Sequence, residues 1–407
     1  MRLFLAAFLI ISRLLGSLPV SAFATPSQPA QESAEVRDLG VEVQFGNQVT
    51  FKARVMGDAA IQEVLLYITP VGQPTVWHEV TLLSQNEIRQ PIDIRQLSLR
   101  PFSETEYRYQ ITLADGSLIN SPNFRFRYDD DRFTWQKLEG EAFRIFWYGR
   151  ETTFGQEVMN VAVEGLRKGQ GILNVAAPSP ITIYVYTSSQ DLQSALQLTH
   201  QPWIAGHAAP DLGQVMISIP DGPQQKLELE RQVPHEVMHI LQYQVIGTEY
   251  RRQPVWVLEG MASIAELYPN PEYQRVLTAT AAGQELLPLS SLCSGFPRES
   301  SGAFQAYAQS ESFVRFLHIK FGNSGLNNLI QQYQDGLGCE EGVVAAFGVS
   351  LGQLETRWRE EALGLNPGKV VLRNLSPFLV LLLLIALPVL LALYPVKSAK
   401  PRLEEKS

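Results

Sequence analysis

The chain has 407 residues, 45% hydrophobic and 18% charged, the proportions of a globular protein too long for one ordinary domain. Its formal net charge is -8 and Lys and Arg form no cluster, which excludes a nucleic-acid-binding face, because contact with phosphate needs positive charge. No glycine loop of the kind that cradles phosphate is present either.

Residues 1–24 have the form of a secretory signal peptide: Arg2, an apolar run to Ile11, and Ala22-Phe23-Ala24 as a small-x-small cleavage site. Arg13 interrupts the apolar stretch and leaves an uncleaved anchor as the alternative. Residues 25–35 are polar and proline-containing and read as a linker. Between 36 and 131, short segments at 41–45, 49–55, 63–68, 77–82, 107–113 and 124–128 largely alternate apolar with polar residues. Turn signals separate them, among them Ala114-Asp115-Gly116 as a hairpin turn. The spacing predicts an all-β N-terminal domain, an immunoglobulin- or fibronectin III-like sandwich that carries no chemistry of its own.

From 132 the pattern changes. Strands are expected at 143–148, 181–186 and 215–219, with helical period from 155 to 171. The run His235-Glu236-Val237-Met238-His239 follows. Two histidines four apart on a helix share one face and can share one metal ion, while Glu236 points about 100° around the axis toward the metal's open side, where it can take a proton from water. Glu259 in Trp256-Val257-Leu258-Glu259-Gly260-Met261-Ala262 is the candidate third ligand, and Gly260 beside it permits close helix approach. Two imidazoles and a carboxylate with one position open suit a single zinc ion per chain. Pro234, directly before His235, either starts the helix or separates a preceding helical piece. From about 290 onward the chain reads as helical.

The two cysteines, Cys293 and Cys339, predict one disulfide in an exported chain, with two unpaired thiols as the alternative. Residues 377–394 carry no charge and are about long enough to cross a ~30 Å hydrocarbon core, which predicts a transmembrane helix over 376–396 after a juxtamembrane linker at 366–375. Lys397, Lys400, Arg402 and Lys406 place the tail, 397–407, in the cytoplasm and the domains outside it, a single-pass cell-membrane protein.

The paired motifs resemble the gluzincin branch of zinc metallopeptidases, and within it the peptidase MA-like family, in which an HExxH helix is followed by a second helix bearing Trp-x-x-Glu-Gly-x-Ala. The resemblance extends through residues 306–317 and on to Trp358, covering about 132–365. It implies an α+β thermolysin-like domain and hydrolysis of peptide or protein substrates, with His235, His239 and Glu259 on zinc and Glu236 as general base. It also implies a tyrosine or histidine from the C-terminal half that steadies the oxyanion, for which Tyr307 is the candidate with a core tyrosine as the alternative, and an edge strand that pairs with substrate, placed at 214–218 with an ordinary structural strand as the alternative. Ser263 and Glu266 lie on the helix that would supply partners for the imidazoles.

A different class of function fits the same features: a membrane-tethered binding or adhesion protein whose metal site is structural or inactive. Glu236 discriminates, since a structural site has no chemical need of that carboxylate. An intramembrane protease is excluded by the polar flank Glu228, Glu230, Arg231 and Gln232. His78, His200 and His318 have no partner at ligand spacing, and His207 reads as a solvated loop residue. The sequence does not fix oligomeric state.

Overall fold

The computed structural model describes residues 34–176, 180–197, 206–283, 285–365 and 367–393, with side chains in the last segment described for 375–388. The expected signal peptide, nearly all of the linker and the tail at 397–407 lie outside them. The described residues divide into two compact units, one within residues 34–42, 50–92 and 106–126, the other within residues 43–49, 93–105 and 127–393.

The strands of the N-terminal region are β1 (Glu35–Gln44), β2 (Gln48–Met56), β3 (Ile61–Pro70), β4 (Val76–Glu79), β5 (Glu87–Asp93), β6 (Glu104–Leu113), β7 (Leu118–Asn120) and β8 (Phe124–Arg127). They form a sheet in the order β1-β2-β5 and another in the order β4-β3-β6-β7, with β8 also paired to β6. Alternation builds them: in β6 every second residue is buried, and Phe51, Leu66, Ile68, Tyr109 and Ile111 are fully buried. The all-β reading of this region therefore holds. Ala114-Asp115-Gly116 is the β6–β7 turn, where Gly116 has φ +82° and its N–H donates to Leu113 O at 2.9 Å. Two strands escaped the sequence pattern: β5 contains Pro91, a residue that argues against a strand, and β7 has only three residues.

The second unit continues with β9 (Gln136–Glu139), β10 (Phe143–Trp147), α1 (Thr152–Leu173), β11 (Ile181–Tyr186), α2 (Ser189–Leu196), β12 (Gly206–Ala209), β13 (Gln214–Ser218) and α3 (Gln225–Ile246). Its sheet runs β12-β13-β11-β10-β9; β10, β11 and β13 pair in parallel, and the outer strands β9 and β12 pair antiparallel. Ile145, Ile183, Val185 and Val215 bury one face in the core that α1 and α3 share. The expected edge strand at 214–218 is corrected: β13 is interior and wholly buried, and the edge belongs to β12.

Helices complete the unit: α4 (Val255–Ala265), α5 (Pro271–Gly283), α6 (Ser300–Gln334), α7 (Cys339–Phe347), α8 (Leu351–Glu361) and α9 (Pro367–Leu393). Gly260 makes the α4–α6 crossing possible, since a Cβ there would stand 2.5 Å from Ser310 O. Ser350 and Gln353 form a capping box that starts α8. Cys293 and Cys339 form a disulfide.

The expected transmembrane helix over 376–396 is not borne out: among the described residues no helix is long and apolar enough to cross a membrane.

Candidate metal centre

α3 runs without a break through Pro234, so His235 and His239 stand one turn apart, their ring centroids 5.1 Å from each other. α4 packs beside α3 and brings Glu259 to both: its Oε2 lies 3.3 Å from His235 Nε2 and 3.7 Å from His239 Nε2. One donor atom from each of the three falls within 4.8 Å of the others. Two imidazoles and a carboxylate converging in a mostly buried site match the donor set of a catalytic zinc, and the residues fit the ion that the sequence implies.

The electrostatics among these side chains are those of mutual attraction. Burial disfavours charge on His235, yet hydrogen bonds to Glu259 and Glu266 raise its pKa well above the ordinary value. Burial acts likewise on His239, and Glu259 raises it. Burial works against the Glu259 anion too, but the two histidines together hold its pKa far below the carboxylate range. Glu236 behaves oppositely: burial raises its pKa, and the charges of His235 and His239 only partly offset that. The Ala208 N–H of β12 donates to the Glu236 carboxylate. A side chain at Gly206, two residues earlier, would displace the Glu236 carboxylate, because a Cβ would lie 2.4 Å from Glu236 Oε1.

Each imidazole is held from behind. Glu266, where α4 ends, places Oε1 3.1 Å from His235 Nδ1. Gln242 and Tyr250 place Oε1 and the hydroxyl oxygen 2.9 and 3.0 Å from His239 Nδ1. Gln242 Nε2 also donates to Leu258 O at 2.9 Å. Such partners orient the ring and fix which nitrogen faces a metal.

Tyr307 of α6 sits with its ring 6.3 Å from that of His235, and its hydroxyl bonds to Glu259, whose negative charge, with burial, drives the phenol pKa well up. A cavity of about 330 Å³ opens beside His235 and Glu236, lined also by Arg231, Asn270, Tyr273 and Tyr307.

The structure thus brings together His235, Glu236, His239, Glu259 and Tyr307. Of the two candidate partners on α4, Glu266 meets His235; Ser263 is buried one turn earlier. His207 lies on the edge strand β12, not in a loop. His318 bonds Asn323 Oδ1 at 2.6 Å, and His200 is outside the described residues. Sequence reading missed Gln242 and Tyr250. Gln242 had a local signal, a hydrogen-bonding residue three after His239 on the same helix; Tyr250 had none, because the 3-10 turn Gly247–Arg252 brings it back.

The model of the peptidase MA superfamily matches residues 161–364. None of the curated proteins matches the chain. Among solved structures, an M1 zinc metallopeptidase mutant from Deinococcus radiodurans is 12% identical over 81% of this chain and 93% of that one, at a TM-score of 0.34. Wild-type OgpA from Akkermansia muciniphila is 21% identical over 26% of this chain at a TM-score of 0.20, and the chain spans 30% of OgpA's length. A family 56 carbohydrate-binding module, a β-1,3-glucan binding domain, is 16% identical over 23% of this chain and 99% of its own, at a TM-score of 0.17.

Proposed function

The chain belongs to the peptidase MA superfamily, and on that footing we propose that it is a zinc-dependent peptidase acting on peptide or protein substrates outside the cytoplasm. The observation that supports this best is the convergence of His235, His239 and Glu259 with Glu236 buried at their side. Those three residues would hold one zinc ion per chain. Zinc there supplies Lewis acidity that polarises a carbonyl and lowers the pKa of water from about 15.7 to about 7.

The chain's own groups do the rest. Glu236, with its proton affinity raised by burial, takes the proton of the attacking water and delivers it to the leaving amine. The Ala208 N–H holds its carboxylate in place meanwhile. Tyr307 releases Glu259 and turns its hydroxyl to the oxyanion. β12, as the outer strand, offers main-chain groups to an extended substrate.

The test uses the full chain: bound metal by mass spectrometry, and cleavage of a mixed peptide library by wild type and Glu236→Gln, with and without chelator. Stoichiometric zinc, with cleavage lost to both chelator and substitution, is the expected result. Stoichiometric zinc in a wild type that cleaves nothing favours the binding or adhesion role, and a chain without zinc removes the reading.

For location, we propose attachment to the membrane through residues 376–396 with the folded units outside. The uncharged run at 377–394, the exposed apolar residues Phe378 to Ile385 on α9 and the disulfide, which belongs in an oxidising compartment, support it. Extraction of the chain from membranes by alkaline carbonate alone would defeat this proposal.

A further inference from the structure

Pro234 lies inside α3, directly before His235. A proline in a helix interior has no N–H for the carbonyl four residues back, and its ring presses that carbonyl away from the axis. Here the carbonyl is that of Glu230, and it is not left unpaired: Leu267 N–H donates to it at 2.9 Å. Leu267 directly follows Glu266, whose Oε1 is 3.1 Å from His235 Nδ1.

The other side of the same short segment is anchored as well. Lys168 Nζ of α1 donates to Glu266 O, and Glu266 N–H donates to Ser263 O at 3.3 Å. Gly165, one turn before Lys168 on α1, leaves the space that Pro234 occupies, since a Cβ there would stand 2.8 Å from the proline Cβ. One face of α1 therefore accommodates the proline and holds the segment that the proline's missing bond admits.

We infer that Pro234 is a positioning residue for metal binding: by freeing Glu230 O it docks Leu267, and so aims Glu266 at His235. This rests on the reading of the site as a zinc site. Replacing the proline supplies an N–H that competes with Leu267 for Glu230 O. α3 then closes on itself and the Glu266 segment loses an anchor.

The experiment is Pro234→Ala in the full chain, with three readouts: hydrogen exchange of the Leu267 amide, zinc affinity by competition against a chelator, and the melting temperature of the zinc-free protein. Expected are faster exchange at Leu267, a zinc dissociation constant raised about tenfold or more, and a zinc-free melting temperature no lower than wild type, because alanine suits a helix interior better. A purely structural proline gives the opposite pattern, a lower melting temperature with zinc affinity within twofold of wild type, and overturns the inference, as does unchanged Leu267 exchange.

Leu267→Pro removes the same bond from the donor's side and sets a ring carbon against Glu230 O; Glu266 already has φ -53° and ψ 137°, which the residue before a proline favours. It is expected to weaken zinc as Pro234→Ala does, and unaltered affinity overturns the inference. Combining Pro234→Ala with Glu266→Gln is expected to cost less than the sum of the two, since both act through one contact; full additivity overturns it. A wild type that takes up no zinc overturns the site reading instead, and Leu267 exchange, which needs no metal, tells the two failures apart.

Discussion

Gln242 Oε1 lies 2.9 Å from His239 Nδ1 in the interior of the protein. Gln242 Nε2 is committed to Leu258 O, so its oxygen must face the imidazole, and Nδ1 must carry the hydrogen. The lone pair of His239 is thereby left on Nε2, the atom that faces Glu259. Because Leu258 directly precedes Glu259, one amide links His239 to the helix that bears Glu259. Gln242→Met keeps the volume and removes both bonds. Zinc affinity is expected to fall about 10- to 100-fold, measured by chelator competition; affinity equal to wild type would show that the amide does not steer the ring.

Glu236→Gln should separate binding from turnover. The substitution preserves shape and leaves the three ligands in place, so zinc content is expected to match wild type while kcat falls by about 100-fold or more, the usual contribution of a general base. Zinc content comes from mass spectrometry and kcat from a peptide cleaved by the wild type. Retained turnover would assign the proton transfer elsewhere.

Acid and base should act on the zinc-free protein in a defined way. His235 and His239 have pKa values raised from 6.5, so their contribution to stability is complete below that pH and is lost as pH rises through the raised values. Glu259 has a pKa lowered from 4.5, so its contribution is complete above that pH and is lost on acidification. The zinc-free melting temperature is expected to be highest between 4.5 and 6.5 and to fall above it. Zinc needs neutral imidazoles, so its affinity is expected to rise with pH where the zinc-free protein weakens. Melting curves against pH, with and without chelator, check both trends.

The Cys293–Cys339 disulfide spans 46 residues, and the chain-entropy model gives about 4 kcal/mol for a loop of that size. It also meets α4 directly, with Val255 N–H donating to Cys293 O at 3.0 Å and Trp256 Nε1 to Cys339 Sγ at 3.4 Å. Replacing both cysteines with serine is expected to lower the melting temperature and to weaken zinc as Glu259 loosens. Unchanged zinc affinity would confine the crosslink to stability.

What could be read from the sequence was whatever helical period enforces. His235 and His239 share one face with Glu236 beside it because 3.6 residues make a turn, and Glu259 is recognisable by the residues around it. The sheet was less legible. Residues 214–218 looked like an edge strand because they precede the metal helix, but their apolar run is that of a strand covered on both faces. β12 has four residues, too few to announce themselves. The role of the carbonyl of Glu230 was invisible, because it depends on a peptide thirty-seven positions away.

Gly206 has a consequence for recognising lapsed members of the family from sequence alone. Any larger residue there would drive its first carbon against the Glu236 carboxylate, and that side chain can swing aside at little expense to folding. Such a protein would keep its sheet, its histidines and its ion, and look intact by every motif. The carboxylate would simply stand away from the histidines, so the residue at this position, in a strand that supplies none of the three candidate ligands, bears directly on whether such a site can work.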